Sequence, residues 1–349
     1  MGVPRMSRRE ALAAVLRRHP RLELGHLPTP FEPLRRLTSF LDGPQLWIKR
    51  DDATGLGVGG NKVRALEYVA ADAVAKEADV LITAGVIQSN SVRQVAAAAA
   101  KLGLGCHFGV ITDRVPNIDR DYRQTGNILL DHLYGATHEP MTIGDDRTSK
   151  LAEIALRIKA SGRRPYIVPY GCANRLGAIG YLGAALEIAD QALAMDVTIT
   201  HIVHASGSGG TQAGLIAGLA MLNLDVEVIG IDIDAEPEGV HRRVASILRE
   251  LADEVGLEFA PLEKKISIES SYSGDAYGVA DQSTLDAIML AARMEGLLVD
   301  PVYSGKALAG MCGLIREGRL APDAQIVFLH TGGSPAIYAY RSLFPELAA

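Results

Sequence analysis

The sequence is poor in the features that mark secreted, membrane-bound or nucleic-acid-binding proteins. Its 349 residues include only three cysteines, Cys106, Cys172 and Cys312, which are odd in number, widely spaced and outside any metal-binding pattern. This argues against a disulfide framework or a metal site and favours a reducing cytoplasm. No uninterrupted run of ~18 apolar residues is present, and the N-terminus lacks the apolar segment of a signal peptide. The net charge of -6 offers no basic surplus for nucleic acid or an anionic membrane. We therefore expect a soluble, cytoplasmic protein.

Aromatic residues are also scarce, at 5%, whereas 48% of the chain is apolar, so aliphatic side chains and alanine must fill the core. The length predicts two domains or one large α/β domain. Strand-length and helix-length apolar segments alternate through most of the chain, which is typical of βαβ units and a parallel sheet. Strands are predicted at 46–49, 80–84, 106–111, 137–141, 166–168, 202–205, 226–233 and 326–329. Helices are predicted at 7–19, 31–41, 63–71, 89–102, 118–132, 149–161, 175–195, 212–222, 237–255, 282–295 and 304–316, and residues 256–281 are less regular.

The segment Gly59-Gly60-Asn61-Lys62 places a lysine at the start of a predicted helix. The N-terminal end of a helix carries partial positive charge, so an ammonium group is unfavourable there. A lysine amine that is kept neutral can instead form a Schiff base with an aldehyde cofactor. The alternative is a solvated lysine in the first turn, which these four residues alone do not exclude.

A serine- and glycine-rich loop at 206–211 lies between a predicted strand and a predicted helix. Successive backbone N–H groups and a helix N-terminus form a site for an anion, and a phosphate monoester fits it well. The loop is neither a Walker A loop nor the G-x-G-x-x-G dinucleotide fingerprint. A glycine turn required only for packing is the alternative.

Polar residues gather at three further predicted strand or helix ends. Ser89 and Asn90 begin a helix, where they either bind a carboxylate or serve as N-caps. Tyr303 comes just before a predicted helix and Tyr277 lies in the irregular segment; a lone tyrosine is more often structural than catalytic. Thr331 follows the last strand and could donate to a ring nitrogen.

Taken together, these segments resemble the D-cysteine desulfhydrase and 1-aminocyclopropane-1-carboxylate (ACC) deaminase family of pyridoxal-phosphate enzymes. The matching segments are 49–52, 59–62, 88–90, 93–94, 206–211, 300–303 and 330–333. The resemblance runs from about Arg21 to Tyr340. It implies the tryptophan-synthase-β-like fold (fold type II), with two open, twisted, mostly parallel sheets flanked by helices and the cofactor between two domains. The implied domains are a large one, 1–64 with 171–349, and a small one, 65–170. A homodimer is implied as well.

The resemblance also implies a role for each candidate residue. Lys62 would carry pyridoxal phosphate and move the Cα proton of the substrate. The cofactor phosphate would be held by Ser206, Gly207, Ser208, Gly209, Gly210 and Thr211. Asn90 would bind the 3′-oxygen of the pyridine ring, and Thr331 its nitrogen. Ser89 would hold the substrate carboxylate, and Tyr277 and Tyr303 would face the departing side chain. A neutral hydroxyl at the ring nitrogen suits elimination better than transamination.

The sequence departs from the family pattern at several positions close to the expected substrate. Ser91 replaces the usual histidine or glutamine, and Tyr170 replaces a smaller residue. Ser304 stands where the deaminases carry glutamate, which counts against that activity. The predicted function is a lyase that acts on a small β-substituted amino acid, with D-cysteine first. The alternatives are the ACC deaminase, an L-cysteate sulfo-lyase whose sulfonate contacts Ser91, Ser304 and Tyr170, and a non-catalytic cofactor or amino-acid sensor.

Overall fold

The computed structural model describes residues 6–116 and 120–344. These residues form ten strands and fourteen α-helices. The strands are β1 Phe31–Pro33, β2 Gln45–Lys49, β3 Val80–Val86, β4 Gly105–Ile111, β5 Thr137–Met141, β6 Pro165–Ile167, β7 His201–Ser206, β8 Glu227–Asp232, β9 Ser267–Glu269 and β10 Gln325–Leu329. The helices are α1 Arg8–Arg17, α2 Arg35–Leu41, α3 Lys62–Ala75, α4 Asn90–Leu102, α5 Arg120–Gln124, α6 Gly126–Leu133, α7 Arg147–Ala160, α8 Arg175–Ala194, α9 Gly210–Leu222, α10 Pro237–Val255, α11 Phe259–Glu263, α12 Gln282–Glu295, α13 Ser304–Arg316 and α14 Ala336–Ala339.

The larger sheet has the strand order β1-β2-β10-β7-β8-β9, and only β1 runs antiparallel to its neighbour. Helices cover both faces, so its central strands are buried on both sides. In β10, Val327 and Leu329 pack with α1, α8, α9 and α10, whereas Ile326 and Phe328 pack with α2, α12 and α13. The alternation follows from the two-residue period of a strand. One short apolar segment therefore joins two cores.

The smaller sheet has the order β5-β4-β3-β6, and all its strands are parallel. It forms a third core with α3, α4 and α7, in which alanine and small aliphatic residues predominate. All four strands lie between residues 80 and 167, and those of the larger sheet lie on either side in sequence. The division of the chain after residues 64 and 170 stays a prediction.

The structure differs from the predicted elements in three places. Phe31 belongs to a strand and not to a helix, because it pairs with Lys49 across β2 and its ring stacks on Trp47 at 5.4 Å. The helix predicted at 118–132 is two helices, broken before Gly126, whose φ of +65° is unfavourable for other residues. Residues 118 and 119 lie outside the described residues. The irregular segment 256–281 contains α11 and β9, which are too short to produce a sequence period.

Within the described part of the chain, no helix is both long and apolar enough to span a bilayer.

Candidate active site

A cleft opens between the two sheets, at the carboxyl ends of β3, β7 and β10. Its empty volume is about 700 Å³, including space that is open to solvent. Ligands of open parallel sheets bind at such strand ends. Predicted site residues on its wall are Lys62, Ser89, Asn90, Ser91, Tyr170, Ser206, Gly207, Ser208, Gly209, Thr211, Tyr277, Tyr303 and Thr331. Thus segments that are up to 269 residues apart in sequence share one wall.

Lys62 is the first residue of α3 and lines the cleft half-buried. Gly59 and Gly60 before it have φ values of +72° and +132°, and a Cβ at Gly60 would stand 2.5 Å from the Gln94 amide. Glycine is therefore required for the turn that delivers the lysine. The Lys62 Nζ lies 3.3 Å from the Ser208 Oγ. Burial lowers the pKa of the Lys62 amine below its ordinary value, so a larger fraction of it is neutral.

The loop at 206–211 connects β7 to α9, so its backbone N–H groups stand at a helix N-terminus. Gly209 has a φ of +89°, and a Cβ there would stand 2.9 Å from the backbone nitrogen of Val244. Asn61 donates to the Thr211 Oγ1 at 3.1 Å, whereas Ser206 donates its hydroxyl to Gln212 at 2.8 Å. The Ser206 side chain is therefore engaged inside the protein. Gly210 begins α9 but does not line the cleft.

These residues fit pyridoxal phosphate. The cofactor needs an amine for its aldehyde, an anion site for its phosphate and polar partners for its ring. The amine of Lys62 reaches the serine of the anion site directly. Thr331 and Asn90, both buried, stand on the same wall. His204 also lines the cleft, and its buried Nε2 has no hydrogen-bond partner among residues 6–116 and 120–344.

Arg93, for which the sequence predicted no role, joins the cofactor residues to the turn before Lys62. Its guanidinium contacts Asn90 Oδ1 and the carbonyl of Gly57, and it donates to the Gly59 carbonyl at 2.9 Å. The residue is fully buried within the helix α4. The contact occupies Asn90 Oδ1, so the group that Asn90 offers to the cleft is its amide N–H. The sequence feature that could have indicated a role for Arg93 is its position, as an arginine, in an otherwise alanine-rich helix.

The hydroxyls of Tyr277 and Tyr303 are in hydrogen-bond contact, and their rings meet edge to face with centroids 5.9 Å apart. Burial raises the pKa of both hydroxyls well above the ordinary tyrosine value. Both groups are therefore neutral near pH 7 and able to donate hydrogen bonds. Tyr170 faces the same part of the cleft, and its pKa is raised by burial as well.

Ser304 requires a correction, because its side chain does not line the cleft. Its hydroxyl donates to Asp300 Oδ1 at 2.6 Å, and its backbone N–H donates to the same oxygen at 2.8 Å. A buried carboxylate needs such partners, and the first turn of α13 supplies them. Conversely, sequence reasoning missed His204 and Asp234, which both line the cleft. Their positions, near the carboxyl end of β7 and just after β8, are the sequence feature from which they could have been predicted.

Comparisons with known proteins agree with this architecture. The family model described as "Pyridoxal-phosphate dependent enzyme" matches residues 22–332. D-cysteine desulfhydrase of Yersinia enterocolitica is 45% identical over 326 residues, 93% of this chain and 97% of the relative. The Salmonella choleraesuis enzyme of the same name is 44% identical, with 93% and 98% covered. A solved structure described as an ACC deaminase homologue is 35% identical, with a TM-score of 0.84 over 95% of this chain and 98% of its own.

The fold and the cleft thus define a fold-type-II enzyme with two mostly parallel sheets and a lysine between them, as predicted. The chain belongs to the pyridoxal-phosphate-dependent enzyme family. Its cofactor is pyridoxal phosphate, which confirms the cofactor that the family resemblance implied; the roles of Lys62 and the 206–211 loop stay predictions.

Proposed function

We propose that the protein is a lyase that removes the β-substituent of a small amino acid, with D-cysteine as the first substrate and pyruvate, ammonia and hydrogen sulfide as products. The observation that carries the proposal is the Lys62 amine, which stands 3.3 Å from Ser208 in a cleft that also holds two neutral tyrosine hydroxyls. The D-cysteine desulfhydrases at 44–45% identity support the substrate.

The substrate carboxylate is bound at the N-terminus of α4. Ser89 caps this helix by accepting the Val92 N–H at 3.2 Å, so its own proton is available to a ligand. The helix end adds partial positive charge. Ser91, whose hydroxyl stands 3.7 Å from the Cys172 sulfur, lines the same side. These groups orient the substrate with its Cα toward Lys62.

Lys62 takes the Cα proton, which requires a neutral amine. Burial favours that form, and no carboxylate is paired with this amine among the described residues. Pyridoxal phosphate, when bound, withdraws the electron pair left at Cα; Ser208 and its loop hold the phosphate, and Asn90 and Thr331 hold the ring. Arg93 keeps Asn90 in place.

Tyr303, paired with Tyr277, donates a proton to the departing sulfur. Their mutual contact orients both hydroxyls, and the raised pKa values keep both hydroxyls protonated, and so able to donate hydrogen bonds, at neutral pH. After the Cβ–S bond breaks, the three-carbon product loses ammonia by reaction with water and becomes pyruvate.

The test is the release of pyruvate and sulfide from D- and L-cysteine by the purified protein. We expect turnover of at least one enantiomer, and Lys62→Ala should abolish both turnover and the visible absorbance of the bound cofactor. If neither enantiomer is turned over, cysteine is excluded as a substrate. The ACC deaminase alternative is disfavoured, because the Ser304 hydroxyl serves Asp300 and does not face the cleft.

We further propose a cytoplasmic homodimer. The family resemblance supports the dimer, and three free, buried cysteines support a reducing compartment. Light scattering of the purified protein tests the dimer; a monomeric mass would contradict it.

A further inference from the structure

Lys306 is a buried cation in the first turn of α13, next to the tyrosine pair in sequence. The helix begins at Ser304 and is preceded by Tyr303, so Lys306 follows one of the two tyrosines by three residues. Its side chain is fully buried. The N-terminal end of a helix carries partial positive charge, which disfavours an ammonium group there. A buried cation at this position therefore requires polar partners of its own.

The partners of Lys306 are three backbone carbonyl groups from two separate segments. Its Nζ donates to the carbonyl of Ala276 at 2.9 Å, to that of Ser273, and to that of Ile233 at 3.4 Å. Ile233 follows β8 and lines the cleft. Ser273 and Ala276 lie in the loop between β9 and α12, and Ala276 directly precedes Tyr277. The amine thus connects α13 and the end of β8 to the loop that carries Tyr277.

The backbone of this loop passes close to the amine. Gly274 has a φ of +65°, and a Cβ built there would stand 3.6 Å from the Lys306 Nζ and 2.8 Å from the carbonyl oxygen of Val279. Tyr277, which follows the loop residues that bind the amine, is buried, and its hydroxyl contacts that of Tyr303. The place of the Tyr277 hydroxyl therefore depends on backbone that Lys306 holds.

The donors of Lys306 match its three acceptors in number only while the amine is protonated. An ammonium group has three N–H donors, whereas a neutral amine has two and a lone pair. Loss of the proton therefore breaks at least one of the three hydrogen bonds. Four carboxylates favour the charged form, those of Asp281, Asp234, Asp232 and Asp300. Burial opposes them more strongly and lowers the pKa of the Lys306 amine to about 8.

We propose that Lys306 is a positioning residue of the reaction: its ammonium group holds the segment 273–276 so that the Tyr277 hydroxyl stands against that of Tyr303, and loss of its proton separates the two hydroxyls. This rests on the proposed elimination, in which Tyr303 acts on the departing sulfur. Lys306 is not among the described residues that line the cleft, so it acts through the tyrosines. Because the amine is charged below its pKa, kcat should fall as the pH rises through about 8. The tyrosines do not cause this fall, since burial raises the pKa of both hydroxyls well above the ordinary value.

A double-mutant cycle with Tyr277→Phe tests whether Lys306 acts through Tyr277. With the cysteine enantiomer that is turned over, Lys306→Met should lower kcat at pH 7 by about tenfold or more, because misplacement of a catalytic group by 1 Å can cost about a hundredfold. It should also remove the fall of kcat above pH 8. KM should change little, since the substrate carboxylate is bound at α4. In the Tyr277→Phe background, Lys306→Met should have no further effect on kcat.

Lys49→Met is the matched control. Lys49 is also fully buried, and its amine donates to a backbone carbonyl, that of Thr29 at 2.7 Å, but the residue does not belong to the described cleft wall. Its effect on kcat should add to that of Tyr277→Phe, and the pH profile should keep its fall above pH 8. A lysine that serves stability alone would behave in the same way at position 306.

A second measurement requires neither turnover nor a variant. Hydrogen exchange of the backbone amides at 271–279 in the holoenzyme, corrected for the pH dependence of exchange itself, should show protection at pH 7 that is lost at pH 9. Lys306→Met should lack this protection at both pH values. Equal protection at pH 7 and pH 9 overturns the proposal, and so does an unchanged pH profile in Lys306→Met or full additivity with Tyr277→Phe. If neither enantiomer of cysteine is turned over but the protection depends on pH and on Lys306, the hold of Lys306 on the segment is supported and the proposed elimination falls.

Discussion

Gly171 lies in a short turn that packs against Ser208 and Lys62, the proposed cofactor lysine. It has a φ of +62°, and a Cβ built there would stand 2.6 Å from both the Cβ and the Oγ of Ser208, and 3.8 Å from the Lys62 Nζ. Gly171→Ala therefore has two effects. The left-handed backbone costs about 1–2 kcal/mol for an L-residue. Displacement of Ser208 in a packed wall adds about 1–3 kcal/mol, so the free energy of unfolding should fall by about 2–5 kcal/mol.

The control is Gly296→Ala, because Gly296 has a φ of +64° and no atom within 4 Å of a built Cβ. Like Gly171→Ala, this variant pays the cost of a left-handed backbone and lowers the conformational entropy of the unfolded chain. Unlike Gly171→Ala, it creates no contact with Ser208. Only Gly171→Ala should also weaken cofactor binding, by about fivefold or more, since loss of one hydrogen bond costs about 1 kcal/mol. Chemical denaturation and titration of the apoenzyme followed by visible absorbance measure the two effects. If the two variants lose the same stability and bind the cofactor equally well, the reasoning is refuted.

Three further changes test other parts of the structure. Arg64→Met should lower the free energy of unfolding by about 3–5 kcal/mol, because it removes the ion pair of the buried Asp51 carboxylate and one of the two cations that contact Glu187. Chemical denaturation measures this loss, and a loss below about 1 kcal/mol would contradict the prediction. Burial lowers the pKa of His204 from 6.5 to about 4, so the unfolded chain binds more protons between these values and stability should fall as pH drops from 6.5 to 4. The full change in the free energy of unfolding is about 3 kcal/mol. Denaturation curves at a series of pH values measure it, and His204→Leu should remove this pH dependence. If the pH dependence is unchanged in His204→Leu, His204 is not its source. Ser304→Ala should lower stability but leave the ratio of kcat/KM between cysteine and cysteate unchanged, and a shifted ratio would return Ser304 to the substrate site.

Much of this molecule follows from local sequence. Helix α1 begins where Ser7 and Glu10 form a reciprocal cap, and α10, α12 and α13 have the predicted bounds. The turn before Lys62 is also local, because two consecutive glycines at the end of a loop permit backbone angles that other residues avoid. The fold and the class of cofactor could therefore be predicted from the sequence. The local motifs indicated the separate segments, and the family resemblance indicated that these segments, far apart in sequence, belong to one site.

Tertiary structure alone decided which side chains face the cleft. Tyr277 and Tyr303 lie 26 residues apart in sequence, and folding brings their hydroxyls into hydrogen-bond contact on the cleft wall. Local sequence determines backbone conformation, because steric limits and capping act over a few residues. The partner of a polar side chain depends on atoms that folding brings together, and no local pattern specifies it.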